Sequence, residues 1–160
     1  PEEESERQYN QAHTALTEAG YDHYEISNFA REGRRSRHNS SYWTGAEYLG
    51  IGPGAHSFNG ATRRWCEQDV EQYIKCVEYG SETLTAQDAL NEYIMVSLRR
   101  VEGIDLQHIA KMWGEESAKQ LLSCAERFIA CGWLVQEGGR LAVPAEKFLI
   151  SDTIIGELFA

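Results

Sequence analysis

Arg31, Arg34, Arg35, Arg37, His38, Asn39, Tyr42 and Trp43 form the densest group of chemically capable side chains in the sequence. Four arginines within seven residues stand apart in a chain of formal charge -10, and a planar guanidinium pairs well with carboxylate or phosphate. His38 is able to ligate a metal or carry a proton near neutral pH. Tyr42 and Trp43 offer flat apolar faces. Together these side chains suit a flat ligand with anionic edges, such as a porphyrin. A second reading stands beside this one: a solvated charged loop next to a short helix whose Tyr42 and Trp43 belong to a core, since charge runs commonly face water.

A second group is Gly50-Ile51-Gly52-Pro53-Gly54-Ala55-His56-Ser57. Gly50, Gly52, Gly54 and Ala55 are candidate cofactor-binding positions, because glycine lets backbone amides come close to a ligand. The spacing is neither a phosphate loop nor a dinucleotide fingerprint, and a tight turn leaving a strand accounts for it equally well. His56 reads as a ligand or as a hydrogen-bonded loop residue. Cys66, Cys76, Cys124 and Cys131 are too scattered to form a metal motif. Cys124 and Cys131, seven apart on a helix, are expected to pack as small hydrophobes. No residue is assigned a catalytic role.

These groups need elements to hold them. Glu2–Ala19 reads as an amphipathic helix stopped by Gly20, and Tyr21–Ile26 alternates as a strand. Helix followed by strand is half of an α/β unit, whose parallel sheet would need strands from elsewhere and would leave an open edge. Ser27–Gly60 carries no sustained period apart from a short apolar strand at Tyr48–Ile51, and a loop of that length is commonly functional. Asp69–Tyr79 reads as a helix, and Thr85 with Asp88 forms a capping box for another reaching about Arg100. Asp105 caps a short helix to Trp113, and Glu115–Cys131 forms a longer one. A hairpin then turns across Gly138-Gly139 and a terminal helix covers Ser151–Phe159. This is the element order of a winged helix. The expected division is 1–60, 61–100 and 101–160.

The 160 residues, 42% hydrophobic and 25% charged, have the composition of a folded protein. Net acidity argues against nucleic-acid binding, as does the mixed charge of Glu115, Glu116, Lys119 and Arg127 on the presumed recognition helix. That helix suits a structural or partner-docking role instead. No run approaches the roughly 20 apolar residues of a transmembrane helix, and the acidic start is unlike a signal peptide. A cytoplasmic location is expected.

Tyr24-Glu25-Ile26-Ser27-Asn28-Phe29-Ala30, His38-Asn39-Ser40-Ser41-Tyr42-Trp43 and Tyr48-Leu49-Gly50-Ile51-Gly52-Pro53-Gly54-Ala55-His56-Ser57 occur in that order. Together they resemble the coproporphyrinogen III oxidase-like radical S-adenosylmethionine family. The resemblance implies an α/β plus α+β fold: the end of a partial (β/α) barrel, then a mainly helical, winged-helix-like C-terminal domain. It implies S-adenosylmethionine and a [4Fe–4S] cluster in a full-length parent. The Cys-x-x-x-Cys-x-x-Cys cluster motif is absent here, so the cluster ligands are not in this sequence and radical chemistry is not expected of it alone. One branch of the family decarboxylates coproporphyrinogen III to protoporphyrinogen IX. Another binds haem and passes it to haem-requiring proteins, so a haem-acceptor protein is an expected partner. The His-Asn-x-x-Tyr-Trp motif is similar to that second branch, which implies haem as the ligand and His38 as its axial donor.

Overall fold

In the computed structural model, residues 2–75 and 79–159 are described. The chain divides into two compact units. One combines residues up to Ser36 with those from Leu90 onward, and the other is Arg37–Ala89. These boundaries cut the chain elsewhere than at 60 and 100.

In the first unit, helix α1 (Glu2–Glu18) leads into strand β1 (Asp22–Glu25). The strand is not part of a parallel sheet. It pairs antiparallel with β2 (Asn28–Ala30), with an irregular register after His23. Its far edge is also covered: Ile26 N–H donates to the Arg99 carbonyl at 2.9 Å, Val101 N–H donates to the Tyr24 carbonyl at 3.2 Å, and Glu25 bridges Arg100. Both edges of β1 are therefore paired within the unit. No barrel closes among the described residues.

His23 is buried on β1 and ties several segments together. Its ring stacks on Phe29 with centroids 3.9 Å apart and meets Phe148 edge-on at 5.2 Å. His13 Nδ1 on α1 lies 2.9 Å from His23 Nδ1. The Tyr9 hydroxyl donates to the Ile26 carbonyl at 3.1 Å and stands 3.4 Å from His23 Nε2. Burial, with the charge of Glu25 nearby, pushes the Tyr9 phenol up to about 12.

The main core belongs to the same unit. Helix α4 (Ala86–Leu98) contributes Leu90, Ile94 and Leu98 to it. Strand β6 (Ile104–Asp105) precedes α5 (Leu106–Trp113) and α6 (Glu115–Ala130), followed by β7 (Val135–Glu137) and β8 (Arg140–Ala142). The strands form an antiparallel sheet in the order β6-β8-β7. The two helices and the hairpin follow in the order read from the sequence, whereas strand β6 was not read there. The start of α5 and the turn of the hairpin follow from local chemistry. Asp105 accepts from the amides of Gln107 and His108 at 3.0 and 3.1 Å, which satisfies donors a helix start leaves free. Gly138 and Gly139 both have positive φ, 56° and 78°, as a two-residue type I′ hairpin turn demands. A 3₁₀ segment, Ala145–Ile150, sends Phe148 into the core, and α7 (Ser151–Leu158) closes it with Ile154, Ile155 and Leu158. Cys124 and Cys131 do not pack as expected: both are exposed on the outer side of α6 and its cap.

The second unit contains α2 (Arg37–Trp43), β3 (His56–Phe58), β4 (Thr62–Cys66), α3 (Val70–Lys75) and β5 (Tyr79–Thr83). The strands form an antiparallel sheet in the order β3-β4-β5. Tyr79 therefore begins a strand rather than ending a helix, and Cys76 lies outside the described residues. Tyr48–Ile51 is no strand: Tyr48 makes one bridge to Phe58, while Leu49 and Ile51 are 80% and 85% exposed. Thr85 and Asp88 form the expected reciprocal box, with Thr85 N–H and Oγ1 donating to Asp88 and Asp88 N–H donating back.

Candidate functional site

His38 and Tyr42 stand four residues apart on α2, so they share one helix face. Their rings meet edge to face, with centroids 5.2 Å apart at 82°. The Tyr42 hydroxyl lies 3.4 Å from His38 Nε2. Tyr42 in turn meets Tyr48 at 5.2 Å and 73°, and Tyr48 tilts against Phe58 at 6.2 Å. The far end of this row is anchored by backbone: Tyr48 and Phe58 each donate an N–H to the other's carbonyl at 2.9 Å. Beyond it, the Arg63 guanidinium sits 5.9 Å over the Phe58 ring and pairs with Glu82 at 3.4 Å.

Helix α2 has no buried side chain. Tyr42 is 46% exposed and so is not a core residue, while Trp43 and Asn39 are half-buried and His38 and Arg37 exposed. An exposed imidazole beside exposed aromatic surface offers a nitrogen donor and apolar contact of the kind an iron porphyrin takes, and Arg37 stands one residue away on the same helix.

The arginines are divided. The Arg31 guanidinium lies 5.1 Å over Tyr21, and that of Arg35 lies 5.1 Å over Tyr24. Arg35 also pairs with Glu102. Burial opposes ionisation of Glu102, but the hydrogen bond from Arg35 and the charge of Arg100 outweigh it and hold that carboxyl below its ordinary range. Two of the four candidate anion binders thus serve their own unit, and Arg37 is the one that shares a helix with His38.

The glycine-rich segment is a turn in which three of the four candidate positions have their amides occupied. Gly50 N–H donates to Ser57 Oγ at 3.0 Å. Gly54 N–H donates to the Glu67 carbonyl at 3.0 Å and Ala55 N–H to the Gly52 carbonyl at 3.2 Å. A Cβ at Gly50 would lie 2.0 Å from the His56 carbonyl oxygen, so glycine is required there by close backbone approach. Gly52 has φ 110°, a conformation that favours glycine. His56 is exposed and stacks against Trp65, its cross-strand partner, with centroids 6.2 Å apart.

Tyr48 and Phe58 were not among the side chains singled out from sequence as ligand-facing. The available signal was two aromatics flanking a glycine-rich turn, which is also what a plain hairpin looks like. Among the described residues no three His, Cys, Asp or Glu side chains lie together as metal ligands. Cys66 is buried on β4 and two of the other cysteines are on or beside α6. Among the described residues no helix is long and apolar enough to cross a membrane.

Residues 84–149 match the family model described as HemN C-terminal domain. The chain is similar to the "Heme chaperone HemW" of Mycobacterium tuberculosis, 31% identical over 156 residues, covering 94% of this chain and 38% of that protein. It is also similar to the "Heme chaperone HemW" of Synechocystis, 34% identical over 186 residues, covering all of this chain and 45% of that protein. The chain thus spans about two fifths of the length of these relatives. A solved coproporphyrinogen III oxidase (HemN) from Escherichia coli, described as a radical SAM enzyme, matches its fold with a TM-score of 0.69 at 17% identity. That match covers 94% of this chain and 39% of the oxidase.

Proposed function

The chain belongs to the HemN/HemW-like radical S-adenosylmethionine family, and from that premise we propose that it is the C-terminal part of a haem-binding and haem-trafficking protein whose iron donor is His38. The observation that carries this reading is the exposed imidazole of His38 at the head of an aromatic row, on the same short helix as Arg37. Tyr42 and Trp43 provide apolar contact for the macrocycle, and Arg37 with Asn39 provides polar contact for its edge. When bound, the iron supplies a Lewis-acidic centre that takes a neutral imidazole nitrogen. His38 Nε2 meets that need once its long contact to the Tyr42 hydroxyl is released.

The names of the HemW relatives support haem as the ligand and a chaperone role, with a haem-acceptor protein as partner. S-adenosylmethionine and a [4Fe–4S] cluster belong to a full-length parent of this kind. The fold likeness to HemN favours a second reading, an oxygen-independent coproporphyrinogen III dehydrogenase in which this region shapes the porphyrin end. A cytoplasmic location fits either reading.

An absorbance titration of haem into the wild-type chain and a His38→Ala variant tests the proposal. Saturable binding with a shifted Soret band is expected for the wild type, weakened at least about tenfold in the variant, the loss of one metal ligand. Equal binding by both proteins removes His38 from the site. Binding of coproporphyrinogen in preference to haem supports the dehydrogenase reading.

A further inference from the structure

We propose that Tyr48, outside the His-Asn-x-x-Tyr-Trp motif, is the positioning residue that sets the orientation of the His38 imidazole, acting through Tyr42. The inference rests on the reading of His38 as iron donor and adds how that donor is aimed. Helix α2 is seven residues long and has no buried side chain, so no core contact of its own fixes the His38 rotamer. The Tyr42 hydroxyl is 3.4 Å from His38 Nε2, too long to hold the ring alone. What remains is the edge-to-face contact with the Tyr42 ring, and that ring meets Tyr48 in the same manner.

Tyr48 is the first member of the row tied by a bridge to a strand. Its N–H and carbonyl both pair with Phe58, and its ring lies against the Phe58 ring. Tyr48 is half-buried where Tyr42 and His38 are exposed. The order of restraint therefore runs from strand bridge to Tyr48, from Tyr48 to Tyr42, and from Tyr42 to His38. Each edge contact biases orientation by about two- to tenfold, so losing the Tyr48 contact frees the imidazole without removing any ligand atom. The ring of Tyr48 matters and its hydroxyl does not, since no hydrogen bond to that hydroxyl enters the chain of contacts.

The test compares Tyr48→Leu with Tyr48→Phe in the whole chain, and reads the His38 ring protons by NMR without ligand before titrating haem. Tyr48→Leu is expected to move the His38 ring signals toward those of an unrestrained histidine and to weaken haem binding about fivefold. Tyr48→Phe restores both. Unchanged His38 signals in Tyr48→Leu overturn the inference whatever haem does. If His38→Ala leaves haem binding intact, the haem reading fails while the ligand-free signals still decide the role of Tyr48. Should Tyr48→Leu lose the bridge amide signals at Phe58, wild-type cross-relaxation decides instead: contacts from Tyr48 to Tyr42 and from Tyr42 to His38 are expected, and absence of either overturns the proposal.

Discussion

Among the four arginines near His38, the local environment separates roles that residue type alone leaves merged. Arg35 lies over Tyr24 and pairs with Glu102, both in its own unit, whereas Arg37 opens the helix that carries His38. We expect Arg37→Ala to weaken haem binding by roughly fivefold, the scale of one exposed charge-assisted contact. Arg35→Ala should leave the affinity within about twofold and instead lower stability slightly, as exposed ion pairs contribute at most about 1 kcal/mol. Parallel titrations and urea melts check both, and equal affinity losses contradict the separation. His38, Arg37, Tyr42 and Trp43 stand out in the sequence as candidates because their types carry the chemistry. Tyr48 and Phe58 do not, because their part in the site depends on a cross-strand bridge, and no local pattern distinguishes that bridge from an ordinary hairpin.

Element by element, the caps and turns were the most legible features. Asp105, the Thr85 and Asp88 box and Gly138-Gly139 act through neighbours within a few residues, and each is where its residue types require. The partner of β1 was not legible. A helix followed by a strand is compatible with a parallel or an antiparallel neighbour, and only pairing with Asn28–Ala30 and with the segment at Arg100 decides it. The β3-β4-β5 sheet was hidden for a related reason: Thr62-Arg63-Arg64-Trp65-Cys66 is short and polar, and its strand character comes from two neighbours.

The clasp between α1 and the β1-β2 hairpin makes a pH prediction. The 2.9 Å contact between His13 Nδ1 and His23 Nδ1 requires one of those nitrogens to be bare. Burial lowers the His23 pKa below 6.5; the hydrogen bond to the Ile26 carbonyl opposes this, the neighbouring His13 adds to it and Glu25 opposes it. A histidine depressed in the folded state leaves the unfolded chain binding more protons as pH falls. Its stabilising contribution is therefore complete above about 6.5 and is lost below it. Urea midpoints followed at α1 signals should fall between about pH 7 and about pH 5. His23→Phe, which keeps an aromatic ring against Phe29, should fall less over the same range. An equal fall in both proteins contradicts the clasp.

For the molecule as a whole, apolar burial is uneven. Cys66 is the one fully buried apolar side chain among the described residues of the Arg37–Ala89 unit, whereas the other unit holds the continuous core of Leu98, Ile109, Phe128, Phe148 and Ile154. Local stability follows buried apolar contact. Amides of the β3-β4-β5 sheet are therefore expected to exchange with solvent at least about tenfold faster than those of α6. Equal protection would show that burial within each unit does not govern its stability. The candidate site is thus carried on the less consolidated unit, as ligand-binding segments commonly are.

The most direct test of His38 as the iron donor is electron paramagnetic resonance of ferric haem bound to the chain, with the histidines labelled with ¹⁵N, in wild type, His38→Ala and His56→Ala. Hyperfine coupling to a histidine nitrogen that persists in His56→Ala and vanishes in His38→Ala is the predicted result. Coupling that survives in His38→Ala, or the absence of any histidine coupling in the wild type, contradicts it.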